Sequence, residues 1–299
     1  MTQSDPLPGL ALTAILVTGA RATESARPDR LFEDPFASAF VKAASRASPT
    51  IAQALAQGSA NEAVNLARRD SVAVRTRFCD DYLLAAAASG CHQVVLLAAG
   101  LDSRAFRLPW PAGVRLWELD LPEVFAFKEP VLADRGAQPG CERTVLPADL
   151  REDWPHTLSD AGFDPGRPTA WLIEGLLMYL DEGERDLLLS RVGALSSAGS
   201  RIALDHQPRF FSPPPVSTTD DAAGAGARFA ALAAAASSDS SLITPAEWLD
   251  GHGWRAKVEE PAAIFARHGR PVPAQIQAAA PGEAHSWMAT AERAAASLG

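Results

Sequence analysis

Five short apolar runs in the second part of the chain each end on residues able to do chemistry. QVVLLA (93–98) runs into Gly100, VRLWEL (114–119) into Asp120, and RTVLPA (143–148) into Asp149. TAWLIEG (169–175) carries Glu174 at its end, and RIALDH (201–206) closes on His206. Continuous apolar runs of this length with β-branched members read as strands buried on both faces, the pattern of a parallel sheet. Ligands of open parallel sheets bind outside the carboxyl ends of the strands, near the switch in strand order. Any one of these acids alone reads equally well as a helix cap or a solvated loop residue. The series of polar strand ends favours a binding crevice.

The first turn narrows the ligand. Gly100 has no Cβ, so backbone can approach a ligand there. Asp120 follows twenty residues later, a spacing that suits a carboxylate accepting both hydroxyls of a ribose. A dinucleotide site would need a G-x-G-x-x-G turn to seat a pyrophosphate on a helix N-terminus. Here the turn reads Ala98-Ala99-Gly100-Leu101-Asp102-Ser103-Arg104, with the glycines missing and an acid where phosphate would come. That pattern argues against a nicotinamide-dependent oxidoreductase. It suits a nucleoside ligand without phosphates, such as S-adenosyl-L-methionine, whose amino-acid end carries both an amine and a carboxylate.

These positions need elements to hold them. Residues 1–90 read as helices with no strand candidate. Asp34-Pro35 marks a helix start, with Phe36, Phe40 and Val41 on one face. Residues 62–88 form a longer helix with Phe78, Tyr82 and Ala86 on one face and Gly90 as its stop. Beyond residue 90 strands and helices alternate, which implies a parallel sheet covered on both faces and, with right-handed crossovers, a doubly wound topology. Asp181 with Glu184 forms a capping box ahead of Leu188, Val192 and Leu195, and Gly199 closes that stretch. Pro130 interrupts the helix after the second strand, so an early end or a kink is expected there. Residues 207–243, with three consecutive prolines and an Ala/Gly/Ser-rich stretch, read as an inserted lid or a loop. Thr244-Pro245-Ala246-Glu247 starts another helix, and WRAKVEE (254–260) with HSWMATAER (285–293) supplies a closing antiparallel pair.

Bulk properties exclude several classes. The chain has 299 residues, 47% hydrophobic and 21% charged, enough to bury a full core. Its net charge of −9 disfavours nucleic acid as a partner. No apolar segment is long enough to span a bilayer, and the N-terminus lacks the basic start of a signal peptide. Cys79, Cys91 and Cys141 show no zinc spacing and read as reduced thiols of a cytoplasmic protein. No cluster has metal-ligand spacing, so metal-independent chemistry is expected.

Taken together, QVVLLAAGLDSRAFRLPW, WELDLPEVFAFK, ADLREDW and WLIEGLLMYL resemble the leucine carboxyl methyltransferase family, over nearly the whole chain and in order. DPFA (34–37) and VRTRFCDDYL (74–83) are similar to that family's cap helices. The resemblance implies a Rossmann-like class I methyltransferase sheet, with residues 1–90 as a helical cap and 91–299 as the cofactor-binding core. It implies S-adenosyl-L-methionine as cofactor. Arg75 then reaches the cofactor's carboxylate, Ala98 and Gly100 border its amino-acid end, Asp120 takes the ribose, Asp149 and Leu150 form the adenine pocket, and Glu174 lies beneath the methionine end. The chain departs from the family at one of these positions, where Ala98 replaces the usual glycine.

The acceptor is read from the nucleophile. A carboxylate is ionised at neutral pH and needs no base, whereas a phenol with a pKa of about 10 gains from one. The expected reaction is O-methylation of a small-molecule carboxylate, a polyketide or other secondary metabolite among the candidates. The alternative is a phenol or enol acceptor with His206 as base, although the plainer reading of His206 is a loop histidine without a role. A further alternative is a cofactor-binding protein without transferase activity. Asp205 could orient His206 only if both turned the same way, and strand neighbours point to opposite faces. Phe210, Phe211 and the prolines of the insertion could wall an aromatic acceptor, with a plain loop as the favoured reading.

Overall fold

The computed structural model describes residues 12–57, 62–206, 244–273 and 286–294. The expected lid at 207–243, with Phe210 and Phe211, lies outside the described residues.

Four helices come first: α1 (Leu12–Ser25), α2 (Ala37–Ala47), α3 (Pro49–Gln57) and α4 (Glu62–Ala88). The expected helix over 62–88 is therefore present as α4, and Gly90, at φ 100°, turns the chain out of it. Strands and helices then alternate through β1 (Gln93–Leu97), α5 (Arg104–Arg107), β2 (Arg115–Asp120), α6 (Pro122–Asp134), β3 (Glu142–Pro147) and α7 (Trp154–Asp160). They continue through β4 (Thr169–Ile173), a 3-10 turn (Leu177–Tyr179), α8 (Glu182–Ala194) and β5 (Arg201–His206). The chain closes with α9 (Pro245–Gly251), β6 (Trp254–Glu259), α10 (Pro261–Arg267) and β7 (Trp287–Arg293). Asp181–Glu184 and Thr244–Glu247 both make the reciprocal bonds of a capping box, which satisfy backbone donors at the helix starts.

The seven strands form one sheet in the order β3-β2-β1-β4-β5-β7-β6. β1 to β5 are parallel, and β7 runs antiparallel to both β5 and β6, the closing pair expected from the tail. Alternation along each strand divides the core in two. Val94, Leu96, Leu116, Leu172 and Ala203 pack with Phe78, Tyr82 and Ala86 of α4 on one face. Val95, Leu97, Trp117, Trp171 and Leu204 pack with Trp154, Leu188 and Val192 on the other. Because both faces are covered there, β1 and β4 are buried along their whole length rather than alternating, whereas β3, at the edge of the sheet, is mostly half-buried. Trp154 and Trp171 meet edge to face, with centroids 6.2 Å apart.

Of the early end or kink expected at Pro130, the early end is corrected: α6 runs on to Asp134. Buried anchors lie on both sides of the proline: Val124, Phe125 and Lys128 before it and Leu132 after it, with Val124 and Leu132 packed among Ile15, Phe40 and Ala44 of α1 and α2. Lys128 Nζ donates to Glu118 Oε2 at 2.6 Å, with both side chains fully buried, and Arg143 of β3 bonds both Glu118 and Glu129. Pro130 itself is on the exposed side, as is Ala126, whose carbonyl loses its partner to the missing N–H, so water can replace that bond.

Candidate active site

A cavity of 420 Å³ lies at the carboxyl ends of β1, β2 and β4, where the strand order switches direction between β1 and β4. Its size falls within the range of roughly 300–1,000 Å³ usual for small-molecule sites. Helix α1 forms one wall through Thr13, Ala14, Val17, Thr18 and Arg21. Arg75, Ala98, Gly100, Asp120, Asp149, Leu150 and Glu174 all line the cavity.

The turn after β1 is built on two left-handed residues. Ala98 has φ 54° and Gly100 φ 51°, and Ala98 is the only non-glycine residue with positive φ among the described residues. A Cβ at Gly100 would meet no atom within 4 Å, so the glycine serves the backbone conformation and leaves open space toward the cavity. The turn also fixes Asp120. Gly100 N donates to Asp120 Oδ2 at 2.6 Å, and Leu121 N donates to Oδ1 at 2.7 Å. Burial pushes the Asp120 carboxyl above its ordinary range, against the pull of these two donors.

Opposite, a chain of buried charges forms the floor. Arg75 of α4 donates from Nε to Glu174 Oε1 at 2.9 Å and from Nη1 to Asp205 Oδ2 at 3.3 Å. Arg104 of α5 donates to Glu174 Oε2 at 2.7 Å, to Asp80 at 2.6 Å, and to Asp102. Burial alone would raise the Glu174 carboxyl, but the two arginines hold it well below the usual carboxylate range. Asp80 also takes both Nη atoms of Arg107. Glu174 is thus an ionised carboxylate whose two oxygens are each already fixed by an arginine, a rigid acceptor at the edge of the cavity.

Asp149 and Leu150 follow β3. Asp149 is half-buried and bonded to Arg151, whose side chain lowers its pKa. Leu150 adds an apolar surface and its carbonyl accepts from Arg191 Nη1. His206 is placed elsewhere: among the described residues it does not line the cavity. Its ring lies 5.8 Å from that of Trp287 on the neighbouring strand. Burial, reinforced by Arg185, lowers its pKa to about 4. Asp205, on the opposite face of β5, turns toward Arg75.

Sequence reasoning marked Asp102 as an acid in the first turn and weighed Asp205 only as an orienter of His206; it missed Arg21, Arg104 and the bond of Asp205 to Arg75. Arg21 Nη2 donates to Leu101 O at 2.7 Å, tying α1 to the turn, and its Nε lies 3.4 Å from Asp34. The available signal was local for Arg104 and Asp205: each is a charge set in or directly after a buried strand, where only a paired charge is tolerated. Arg21 carries no such mark, because it sits on a separate helix 80 residues from Leu101.

The residues present fit an adenosyl amino acid. Asp120 offers a fixed carboxylate at the end of β2, Leu121, Val124 and Leu150 offer apolar surface, and Glu174 and Arg75 offer an acid and a cation for an amine and a carboxylate. A doubly wound sheet in this order, with its cavity at the carboxyl edge and no pyrophosphate turn, defines an S-adenosyl-L-methionine-dependent methyltransferase of class I fold. The chain belongs to the leucine carboxyl methyltransferase family, whose model matches residues 14–193. It is 46% identical over 288 residues to a provisionally named S-adenosyl-L-methionine-dependent methyltransferase of Parafrankia sp. (strain EAN1pec), covering 96% of this chain and 88% of that one. A similarly named protein of Mycobacteroides abscessus is 48% identical over 267 residues, covering 89% and 86%. Among solved structures, a provisionally named methyltransferase of Thermobifida fusca YX aligns with a TM-score of 0.52 at 17% identity, covering 97% of this chain and 99% of that one, a likeness of fold.

Proposed function

We propose that this methyltransferase acts on a carboxylate oxygen of a small molecule. The observation that supports it is the lack of a base. Among the described lining residues there is no histidine, lysine or cysteine. The lining carboxylates are committed: Glu174 and Asp102 to arginines, Asp149 to Arg151, Asp120 to two backbone N–H groups, and Glu184 to the capping box of α8. A phenol would have to lose its proton to some group, whereas a carboxylate arrives ionised.

S-adenosyl-L-methionine, when bound, supplies an electrophilic methyl group on a sulfonium sulfur. The chain's part is orientation and charge. Asp120 would hold the ribose, Leu150 and Asp149 the adenine, and Arg75 with Glu174 the amino-acid end. Arg21 adds a cation to the wall formed by α1, where Ala14 and Val17 are apolar, as are Met178 and Leu180 at the 3-10 turn. That lining suits an acid with an apolar body, as a polyketide or other secondary metabolite would have. The acidic chain and its three free cysteines fit a cytoplasmic enzyme with a small-molecule acceptor and neither nucleic acid nor membrane as partner.

The test is transfer of labelled methyl to a panel of benzoate, octanoate, phenol and octanol, followed by mild alkali. Methyl esters release volatile methanol and methyl ethers do not. Label on the acids, released by alkali and unchanged across pH by His206→Ala, supports the reading. Alkali-stable label on the phenol, lost in His206→Ala, refutes it.

A further inference from the structure

Asp205 is a buried carboxylate that the reaction as read above does not use. It is the last residue but one of β5, is 1% exposed, and among the described residues does not line the cavity. Its two oxygens go to two different pieces of the site. Oδ1 accepts from Gly175 N at 2.6 Å, and Oδ2 accepts from Arg75 Nη1 at 3.3 Å. Gly175 follows Glu174, which binds the Nε of the same arginine at 2.9 Å. Gly175 has φ 66°, and a Cβ there would lie 3.4 Å from Arg75 Nη1, so the guanidinium packs against its bare Cα. Arg75 is therefore clamped on two edges and one face, and Asp205 supplies one edge while fixing the backbone that supplies the face.

We infer that Asp205 is a positioning residue for the cofactor's amino-acid end, acting through Arg75 and the Glu174–Gly175 turn. A guanidinium bonded through Nε alone can swing about that bond. A second carboxylate on Nη1 fixes its plane and so the direction in which it meets a ligand. The same carboxylate holds the turn after β4 in its left-handed conformation, which keeps Glu174 beneath the cavity. Both effects concern one end of the ligand and neither touches the nucleoside end, where Asp120 closes β2 and Leu150 follows β3. This role rests on the assignment of S-adenosyl-L-methionine to the cavity.

The two ends can be measured separately. S-adenosylhomocysteine carries the amino acid; 5′-methylthioadenosine has the same nucleoside and sulfur without it. Both are titrated calorimetrically into the full-length wild type and into Asp205→Asn, which keeps the shape and an acceptor for Gly175 N but removes the charge. Asp205→Ser, smaller and still an acceptor, serves if the asparagine variant does not fold. The expected result is S-adenosylhomocysteine binding weakened by about tenfold, the scale of coupling between directly bonded groups, with 5′-methylthioadenosine within about twofold. Equal weakening of both ligands makes Asp205 a general structural residue and overturns the role, as does unchanged binding of both. A wild type that binds neither ligand overturns the cofactor assignment instead, and the Asp205 role with it.

Discussion

Ala98→Gly should stabilise this protein, although glycine usually destabilises. Ala98 sits at φ 54° in the turn that presents Gly100 N to Asp120. A left-handed conformation costs an L-residue about 1–2 kcal/mol through the clash of Cβ with its own backbone. Glycine removes that cost but raises the entropy of the unfolded chain by about 0.4–1 kcal/mol. The difference favours the glycine by roughly 0.5–1 kcal/mol, which for a domain of this size is about 1–3 °C in Tm. Ala98→Val tests the same reasoning in reverse. A β-branched residue at positive φ is a steric outlier, and its extra methyls enter the cavity edge, for a loss of about 1–3 kcal/mol. Thermal melts of the three proteins, each followed by an S-adenosylhomocysteine titration, give both stability and site integrity. Affinity should be held or improved in the glycine variant and reduced in the valine variant. A lower Tm for Ala98→Gly, with Ala98→Val no worse than wild type, would refute the argument from backbone conformation.

Three further outcomes follow from the charges and from α6. In the proposed ribose role Asp120 accepts two hydroxyls as a carboxylate, and burial raises its pKa, so on that proposal cofactor affinity should hold at neutral pH and fall as pH drops through that raised pKa; Asp120→Asn should bind weakly at every pH, with a flattened profile in calorimetry. Glu174 has a depressed pKa, so its contribution to stability is complete above the unfolded value of about 4.3 and is lost as pH falls toward the folded one. Glu174→Gln leaves Arg75 and Arg104 each short of a carboxylate and should cost about 3–5 kcal/mol in denaturant unfolding at pH 7; a variant as stable as wild type would count against the charge chain. Pro130→Ala restores an N–H within α6 at an exposed position and should stabilise by about 2 kcal/mol, since proline costs about 3 kcal/mol inside a helix and recovers about 0.4–1 kcal/mol of that through a stiffer unfolded chain; urea melts read this directly.

The sequence by itself determined the elements and the strand ends that line the cavity. Strands buried on both faces are written as continuous apolar runs, and helix starts as capping boxes, so β1 to β5, α8 and α9 were legible from local pattern alone. Gly100, Asp120, Asp149 and Glu174 were legible for the same reason, since each ends a strand and parallel strands bring their carboxyl ends together. Tertiary structure decided what those residues bond to. Arg75 meets Glu174 and Asp205 across 99 and 130 residues of chain, and Arg21 reaches Leu101 O from a separate helix across 80. No local pattern encodes such pairings, because burial and partner are set by how α1, α4 and α5 pack over the sheet. The same packing carries α6 through Pro130, where the local rule predicts an end or a kink. It also sends the two neighbours at the end of β5 apart: Asp205 turns inward to Arg75, and His206 turns away to Trp287.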